Sequence, residues 1–242
     1  MLEDWRNAFA DLFYPQSACV ICGRAVARPG WCDDCRDKAF AYGNCPWGAC
    51  FLPPLGSNGL CAGCQGDPPY TLARAAAPYQ GNLRQALLAF KYQKQLAKRR
   101  PLAAIMSQCF QRHYAGIAFD YILPTPLSSQ RLASRGYNQS ALLAKELSRI
   151  LGIPYRQDLL LRIKDTPPLA PHNARQRSAL LAGAFACPQP LAGTVILLVD
   201  DIFTTGATAR GCAGALLRQG AKAVYVLTAA ASLQNGLNGE QR

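Results

Sequence analysis

Residues 194–208 of this 242-residue chain read Thr194-Val-Ile-Leu-Leu-Val-Asp-Asp-Ile-Phe-Thr-Thr-Gly-Ala-Thr208. The apolar run that ends at Val199 is uninterrupted and β-branched at several positions, which is typical of a central strand in a parallel sheet. Two acids, Asp200 and Asp201, follow at the carboxyl end of this predicted strand, where open α/β sheets bind their ligands. The stretch therefore predicts an α/β fold with a ligand site directly after the strand.

The loop after the two acids has the chemistry of a phosphate site. Small hydroxylic residues lead into a helix predicted over residues 207–219, and backbone N–H groups at a helix N-terminus can converge on an anion. Gly206 lets the backbone approach the ligand closely. Asp200 and Asp201 are instead suited to accept hydrogen bonds from two vicinal hydroxyls, so a ribose 5-phosphate fits the stretch. The candidate 5-phosphate ligands are Thr204, Thr205, Gly206, Ala207 and Thr208.

The chain from residue 71 onward alternates short apolar runs with helical patterns. This alternation predicts a mainly parallel sheet flanked by helices. Residues 121–123 form a short apolar run that we interpret as a buried strand ended by Pro124. The predicted helices span residues 80–90, residues 101–114 with Pro101 at their start, and residues 138–151 with Asn138 as the cap.

A cluster of basic residues follows the predicted 121–123 strand. Arg131 and Arg135 lie four residues apart, shortly after a Pro-Thr-Pro turn that contains Thr125. Their guanidinium groups suit a pyrophosphate, which Arg binds with better geometry than Lys. Lys91 and the run from Lys94 to Arg100 add positive charge upstream. These upstream residues either line the pyrophosphate, line a polynucleotide groove or form a solvated helix face, and all three alternatives stay open.

Eight of the eleven cysteines fall within the first 70 residues, most of them in CxxC pairs. In a reducing compartment such a cluster indicates metal ligands rather than disulfides. Two paired turns can place four thiolates around one tetrahedral zinc ion, and the closed shell makes the site structural. One pair is separated by four residues and needs a bulged turn, so the number of ions is one or two. We assign Cys19, Cys22, Cys32 and Cys35 to a first ion, and Cys45, Cys50, Cys61 and Cys64 to a second.

Charge and cysteine content divide the chain at about residue 70. The formal net charge is +12, but residues 1–70 hold five basic and seven acidic side chains, so residues 71–242 carry a surplus of +14. We predict a domain of residues 1–70, with a short helix over 2–13 and a double zinc ribbon, and an α/β domain of residues 71–242. The basic surplus exceeds what one small phosphorylated ligand needs, which favours a nucleic acid partner.

The sequence also predicts a compartment. The start lacks the basic and apolar segments of a signal peptide, and no apolar run reaches the eighteen or so residues that span a bilayer. We therefore expect a cytoplasmic protein without membrane insertion.

The run from Val195 to Ala207 resembles the phosphoribosyl pyrophosphate (PRPP) motif of type I phosphoribosyltransferases. With the double cysteine ribbon and the pattern from Pro124 to Gln139, the chain is similar to the ComF family specifically, although it has Leu169 where the family usually has Gln. This resemblance implies a type I phosphoribosyltransferase fold. It also implies that Asp200 and Asp201 hold the ribose of PRPP, that Mg²⁺ bridges ribose and pyrophosphate, and that Thr125, Arg131 and Arg135 contact the pyrophosphate.

Two functions compete at this stage. In the first, the protein binds PRPP with Mg²⁺ and single-stranded DNA, and acts in DNA uptake or in the use of imported DNA, with competence or helicase proteins as possible partners. In the second, it is an enzyme that transfers ribose 5-phosphate from PRPP to a nucleobase or amine and has no DNA role. Neither His113 nor His172 has a partner pattern, so neither is assigned a catalytic role. Cys109, Cys187 and Cys212 are expected to be isolated and buried.

Overall fold

The computed structural model of the chain describes residues 17–41, 68–165, 181 and 183–232. Its centre is a four-stranded parallel sheet made of β3 (Leu72–Pro78), β4 (Tyr121–Pro124), β7 (Val195–Phe203) and β8 (Ala223–Ala231). The strand order is β3-β8-β7-β4. Because neighbouring strands are parallel, the chain returns between them through crossover segments that contain helices.

Helices cover both faces of this sheet. Successive residues of β7 point to opposite sides, and they divide accordingly between two apolar clusters: Leu197 and Val199 join one, whereas Ile196 and Leu198 join the other. The described helices are α1 (Asp33–Ala41), α2 (Gly81–Tyr92), α3 (Arg99–Tyr114), α4 (Ser129–Arg135), α5 (Gln139–Leu151) and α6 (Ala207–Arg218), with a 3₁₀ turn at Leu96–Lys98. The first cluster contains side chains of α2, α3 and α5, and the second contains those of α6.

The predicted fold class, an α/β domain with a parallel sheet flanked by helices, is confirmed. The cap of α5 is also as predicted, because the Asn138 side chain accepts hydrogen bonds from the backbone N–H groups of Ser140 and Ala141. Pro124 belongs to β4 instead of following it. A proline is tolerated there because β4 lies at the sheet edge.

The central strand is longer than the sequence predicts. β7 continues beyond Val199 through both acids to Phe203, because β8 pairs with it along this whole length. Asp200 lies opposite Thr228, and Phe203 lies opposite Ala231. The two acids are therefore the last part of the strand, held by its hydrogen-bond ladder, and the loop begins only after Phe203.

The described part of the cysteine-rich segment packs on the α/β domain. It consists of the paired two-residue strands β1 (Ser17–Ala18) and β2 (Ala25–Val26), followed by α1. Val20 and Trp31 belong to the same apolar cluster as α2 and α3, and the Trp31 indole N–H donates to Gln108 Oε1 at 2.8 Å. The predicted helix over 2–13 and the second cysteine set lie outside the described residues.

A second small sheet, the antiparallel pair β5 (Leu161–Arg162) and β6 (Phe185–Ala186), packs beside α6. Within the ranges that the structure describes, no helix is both long enough and apolar enough to cross a membrane.

Candidate functional site

Asp200 lies near the carboxyl end of β7 and is held by two hydrogen bonds. The hydroxyl of Ser140, in the first turn of α5, donates to Asp200 Oδ1 at 2.8 Å, and the backbone N–H of Asp201 donates to the same oxygen at 2.9 Å. Burial and the adjacent charge of Asp201 raise the pKa of Asp200 to about 6, although both hydrogen bonds and Lys91 oppose the shift. The two hydrogen bonds thus orient the carboxylate, while its surroundings disfavour the ionised form.

Asp201 forms an ion pair with Lys91, which belongs to the last turn of α2. Lys91 Nζ lies 2.8 Å from Asp201 Oδ2, and the two side chains are only 15% and 11% exposed. The sequence leaves Lys91 open between a ligand contact and a solvated face. Its spacing contains the signal for a buried position, because Lys91 follows the fully buried Leu87 by four residues and so shares its helix face.

The loop from Thr204 to Gly206 joins β7 to the N-terminus of α6. Gly206 is the residue before the helix and has a φ of +73°, and a Cβ there would lie 2.8 Å from Phe203 Cζ. Gly206 offers no capping side chain, but Thr205 Oγ1 accepts a long hydrogen bond of 3.5 Å from the backbone N–H of Ala207. The later N–H groups of the first turn have no acceptor within the helix, so they can serve an anion.

Thr125 lies directly after β4, beside the acid pair. It lines one cavity together with Asp200 and with four of the five predicted phosphate ligands, Thr204, Gly206, Ala207 and Thr208. It is buried, and its hydroxyl donates to the carbonyl of Val199 at 2.9 Å, while its own carbonyl accepts a hydrogen bond from the Asn138 amide. These contacts join the ends of β4, β7 and α5 around the acids.

Arg131 and Arg135 both lie on α4, and together with residues of the α2 end they line a pocket of about 190 Å³. The Arg135 guanidinium lies 5.0 Å above the ring of Tyr92 and donates to the Tyr92 hydroxyl at 3.3 Å. Its other terminal nitrogen donates to Gln139 Oε1 at 3.1 Å. The lining residues of this basic pocket are Lys91, Tyr92, Lys94, Arg131, Ser134 and Arg135.

Lys91 connects the two parts of the site, because it lines the basic pocket and also pairs with Asp201. The structure thus brings together the acid pair, the helix start and the basic pocket that the sequence predicts separately. Elsewhere in the upstream basic run, Arg99 pairs with Glu146 of α5 at 2.8 Å and supports the packing of α3 on α5.

The first predicted cysteine set is clustered. The Sγ atoms of its four members all lie within 4.8 Å of one another, and those of Cys22 and Cys32 are 3.8 Å apart. Four thiolates arranged tetrahedrally at 2.3 Å from zinc lie about 3.8 Å from each other, so this cluster can hold a zinc ion. Burial raises the pKa of Cys19, but hydrogen bonds from Cys22, Cys32 and Ile21 outweigh it and lower the pKa to about 7. The cluster consists of Cys19, Cys22, Cys32 and Cys35.

The described cysteines outside this cluster, and His113, pack against other parts of the fold. Cys109, Cys187 and Cys212 are buried and isolated, as predicted. His113 packs edge-on against Phe40, and burial, with Arg74 and Arg112 nearby, lowers its pKa to about 4. His172 and Leu169 lie outside the described residues.

Among solved structures, two adenine phosphoribosyltransferases are similar to part of the chain. The one from Saccharomyces cerevisiae is 17% identical with a TM-score of 0.36, covering 57% of this chain and 71% of that one. Another is 16% identical with a TM-score of 0.35 over 59% and 74%. Because these TM-scores are low, the fold class is assigned from the strand order of the sheet and not from these similarities.

No family model matches the chain. The DNA utilization protein YhgH of Escherichia coli K12 is 32% identical over 214 residues, which cover 86% of this chain and 87% of that protein. Competence protein F of Haemophilus influenzae is 27% identical and covers 86% and 94%. Competence protein ComFC of Bacillus subtilis is 28% identical over 61% and 58%. Because the identity to YhgH extends over most of both proteins, this chain belongs to the ComF family.

Proposed function

We propose that this protein binds PRPP with Mg²⁺ at the carboxyl end of β7, and that it also binds single-stranded DNA and acts in DNA uptake or utilisation. The observation that carries the first part is the position of Lys91, which joins the acid pair to the basic pocket. PRPP carries a 5-phosphate, a ribose diol and a pyrophosphate in this order. The α6 start, the acid pair and the basic pocket offer the complementary groups in the same order.

The residues present fit a divalent cation as well. Mg²⁺ prefers carboxylate oxygens together with substrate phosphates, and Asp201 already has a cationic partner in the largely shielded Lys91. When bound, Mg²⁺ would neutralise charge between ribose and pyrophosphate. Asp200 would accept a hydrogen bond from a ribose hydroxyl while Ser140 fixes its orientation.

The test is calorimetric titration of PRPP with Mg²⁺ into the wild-type protein and into the double variant Asp200→Asn/Asp201→Asn. We expect the variant to lose about a hundredfold in affinity, since two charge-assisted hydrogen bonds to the diol are weakened. The matched control is Asp120→Asn, because Asp120 accepts from Val195 at the opposite end of β7. Unchanged affinity in the double variant would refute the ribose assignment.

The proposed DNA role rests on the names of the relatives and on charge. YhgH is named as a DNA utilization protein, and the other two relatives are named as competence proteins. The surplus of +14 in residues 71–242 is more than a single PRPP requires. Lys and Arg side chains that neutralise DNA phosphates bind DNA without sequence preference. The affinity of such binding falls as the salt concentration rises.

This part is tested by titrating labelled single-stranded DNA at two salt concentrations. We expect binding at low salt that weakens by at least about tenfold between 50 and 200 mM salt, as release of several counterions requires. Absence of binding at low salt, or binding independent of salt, would refute the electrostatic interaction. The same assay with a competence or helicase protein added tests whether such a partner joins the complex.

A second candidate function is catalysis by the same site. Arg131 and Arg135 face a common pocket next to the acid pair, and preorganised positive charge stabilises a departing pyrophosphate. The protein would then transfer ribose 5-phosphate to a nucleobase or amine. Incubation with labelled PRPP and candidate acceptors distinguishes the two functions, because only the enzyme releases pyrophosphate in an acceptor-dependent reaction.

A further inference from the structure

Lys91 contacts the acid pair and also lines the basic pocket. Its ammonium group is 2.8 Å from Asp201 Oδ2, and the pair is largely shielded from water. The same side chain lines the pocket that also holds Lys94, Arg131 and Arg135. A lysine stem is flexible and its ammonium is a compact point charge, so a small change in rotamer carries the charge from one partner to the other.

The ion pair conflicts with ribose binding. Asp201 Oδ2 is occupied by Lys91, whereas a ribose diol needs free carboxylate oxygens as acceptors. Removing Lys91 without replacement would leave a buried and uncompensated carboxylate beside Asp200, which is costly. A ligand that offers Lys91 a new anionic partner, and that brings a cation to the acids, avoids this cost.

We propose that Lys91 is a specificity-determining switch residue that pairs with Asp201 in the free protein and moves to the pyrophosphate of an incoming sugar phosphate. The proposal rests on the PRPP site proposed above and adds to it a coupling between its two halves. A sugar phosphate without pyrophosphate leaves Lys91 on Asp201 and binds weakly. A sugar with a 1-pyrophosphate draws Lys91 away and frees Asp201, so the site selects ligands that carry both groups.

The first test compares PRPP with ribose 5-phosphate, each with Mg²⁺, in the wild type and in Lys91→Gln. We expect PRPP to bind about tenfold more weakly in the variant, because one charge-assisted contact is lost. Ribose 5-phosphate should bind several-fold more tightly, because Asp201 is already free. Equal weakening of both ligands would show that Lys91 only maintains the structure, and unchanged PRPP affinity would show that it never reaches the pyrophosphate.

Lys94→Gln is the matched control, because Lys94 lines the same pocket and, unlike Lys91, is an exposed side chain. We expect this variant to weaken PRPP binding without improving the binding of ribose 5-phosphate. A gain in ribose 5-phosphate affinity in both variants would assign the effect to pocket charge and overturn the switch.

The second test does not depend on a Lys91 variant that folds. In Asp201→Asn the lysine loses its anionic partner, so inorganic pyrophosphate should bind about tenfold more tightly than to the wild type. Asp120→Asn removes the same charge at the far end of β7 and should leave pyrophosphate affinity unchanged. Pyrophosphate affinity that is equal in all three proteins would refute the switch. If wild-type protein bound no PRPP at all, the proposed function would fail whatever the variants do.

Discussion

The surroundings of Asp200 hold its carboxyl group in one orientation but disfavour its ionised form. Ser140 and a backbone N–H hold one carboxylate oxygen, while burial and Asp201 raise the pKa of Asp200 to about 6. If Asp200 served folding alone, a neutral side chain of the same shape would make the protein more stable. The arrangement is instead suited to a ligand that supplies hydroxyl donors and a cation, as functional sites commonly are.

Asp200→Asn should therefore stabilise the protein without ligand. The raised pKa means that the folded protein favours the protonated form, so wild-type stability falls as the pH rises from about 4 to 6. At pH 7 we expect the variant to gain about 1–3 kcal/mol in the free energy of unfolding. The amide oxygen of the asparagine introduced at this position can still accept the hydrogen bond from the Ser140 hydroxyl. Urea denaturation at pH 7 and pH 4 measures the difference, which should shrink at the lower pH; a loss of stability at pH 7 would contradict it.

Gly206 combines backbone strain with a close contact at the start of α6. Gly206→Ala places a side chain at a φ of +73° and brings its Cβ within 2.8 Å of Phe203 Cζ. We expect a loss of about 1–3 kcal/mol in stability and weaker PRPP binding, because Phe203 and the loop must shift.

The control is Gly193→Ala, at a similar φ of +76° but with open space around the added atom. It should cost stability through strain alone and leave PRPP affinity unchanged. Equal effects of both variants on PRPP binding would show that the loop geometry at Gly206 is not specific to the ligand.

At the level of secondary structure, the last turn of α2 supports both halves of the site. Lys91 pairs with Asp201, and the neighbouring Tyr92 lies under Arg135. Tyr92 is nevertheless 66% exposed. One helix end thus contacts the acid pair on one side and the pyrophosphate-binding candidate on the other, which is why α2 belongs to the site although the sequence motif lies in β7.

The cysteine cluster is a second local unit. Cys22→Ser should reduce the zinc content by one equivalent relative to the wild type, because a hydroxyl replaces one of four thiolate ligands. Cys187→Ala, which changes a buried cysteine outside the cluster, should leave the zinc content unchanged. Metal analysis of the purified proteins measures both. Full zinc content in Cys22→Ser would exclude this cluster as a site.

At the scale of the whole molecule, the described cysteine segment and the α/β domain share one apolar cluster. Trp31 is almost fully buried there, and its ring packs edge-on against Phe40 at 5.3 Å between centroids. Its indole N–H reaches Gln108 on α3. Folding of the cysteine segment and stability of the α/β domain are therefore expected to be coupled.

Trp31→Ala should lower the free energy of unfolding of the zinc-loaded protein by about 3–5 kcal/mol, since it removes a large buried ring. Gln108→Ala removes only the hydrogen bond and should cost about 1 kcal/mol. Urea denaturation followed by circular dichroism of the α/β domain measures both. Unchanged stability of this domain in Trp31→Ala would show that the packing contributes nothing to it.

The sequence by itself determined the chemistry of single segments. The apolar run before Asp200, the hydroxylic loop around Gly206 and the CxxC spacing of the first cysteines each depend on neighbours along the chain. Backbone periodicity, glycine freedom and ligand spacing therefore predict them. The cap at Asn138 is predictable for the same reason.

Only the tertiary structure decided how these segments meet. The extension of β7 to Phe203 depends on pairing with β8, and the contacts of Lys91 with Asp201 and of Arg135 with Tyr92 join residues that are distant in sequence. The spacing of Lys91 from Leu87 indicates a shielded helix face, but it does not identify the acid that Lys91 contacts. This partner is fixed by the packing of α2 in the apolar cluster that it shares with β7, where shielding from water makes an ion pair necessary.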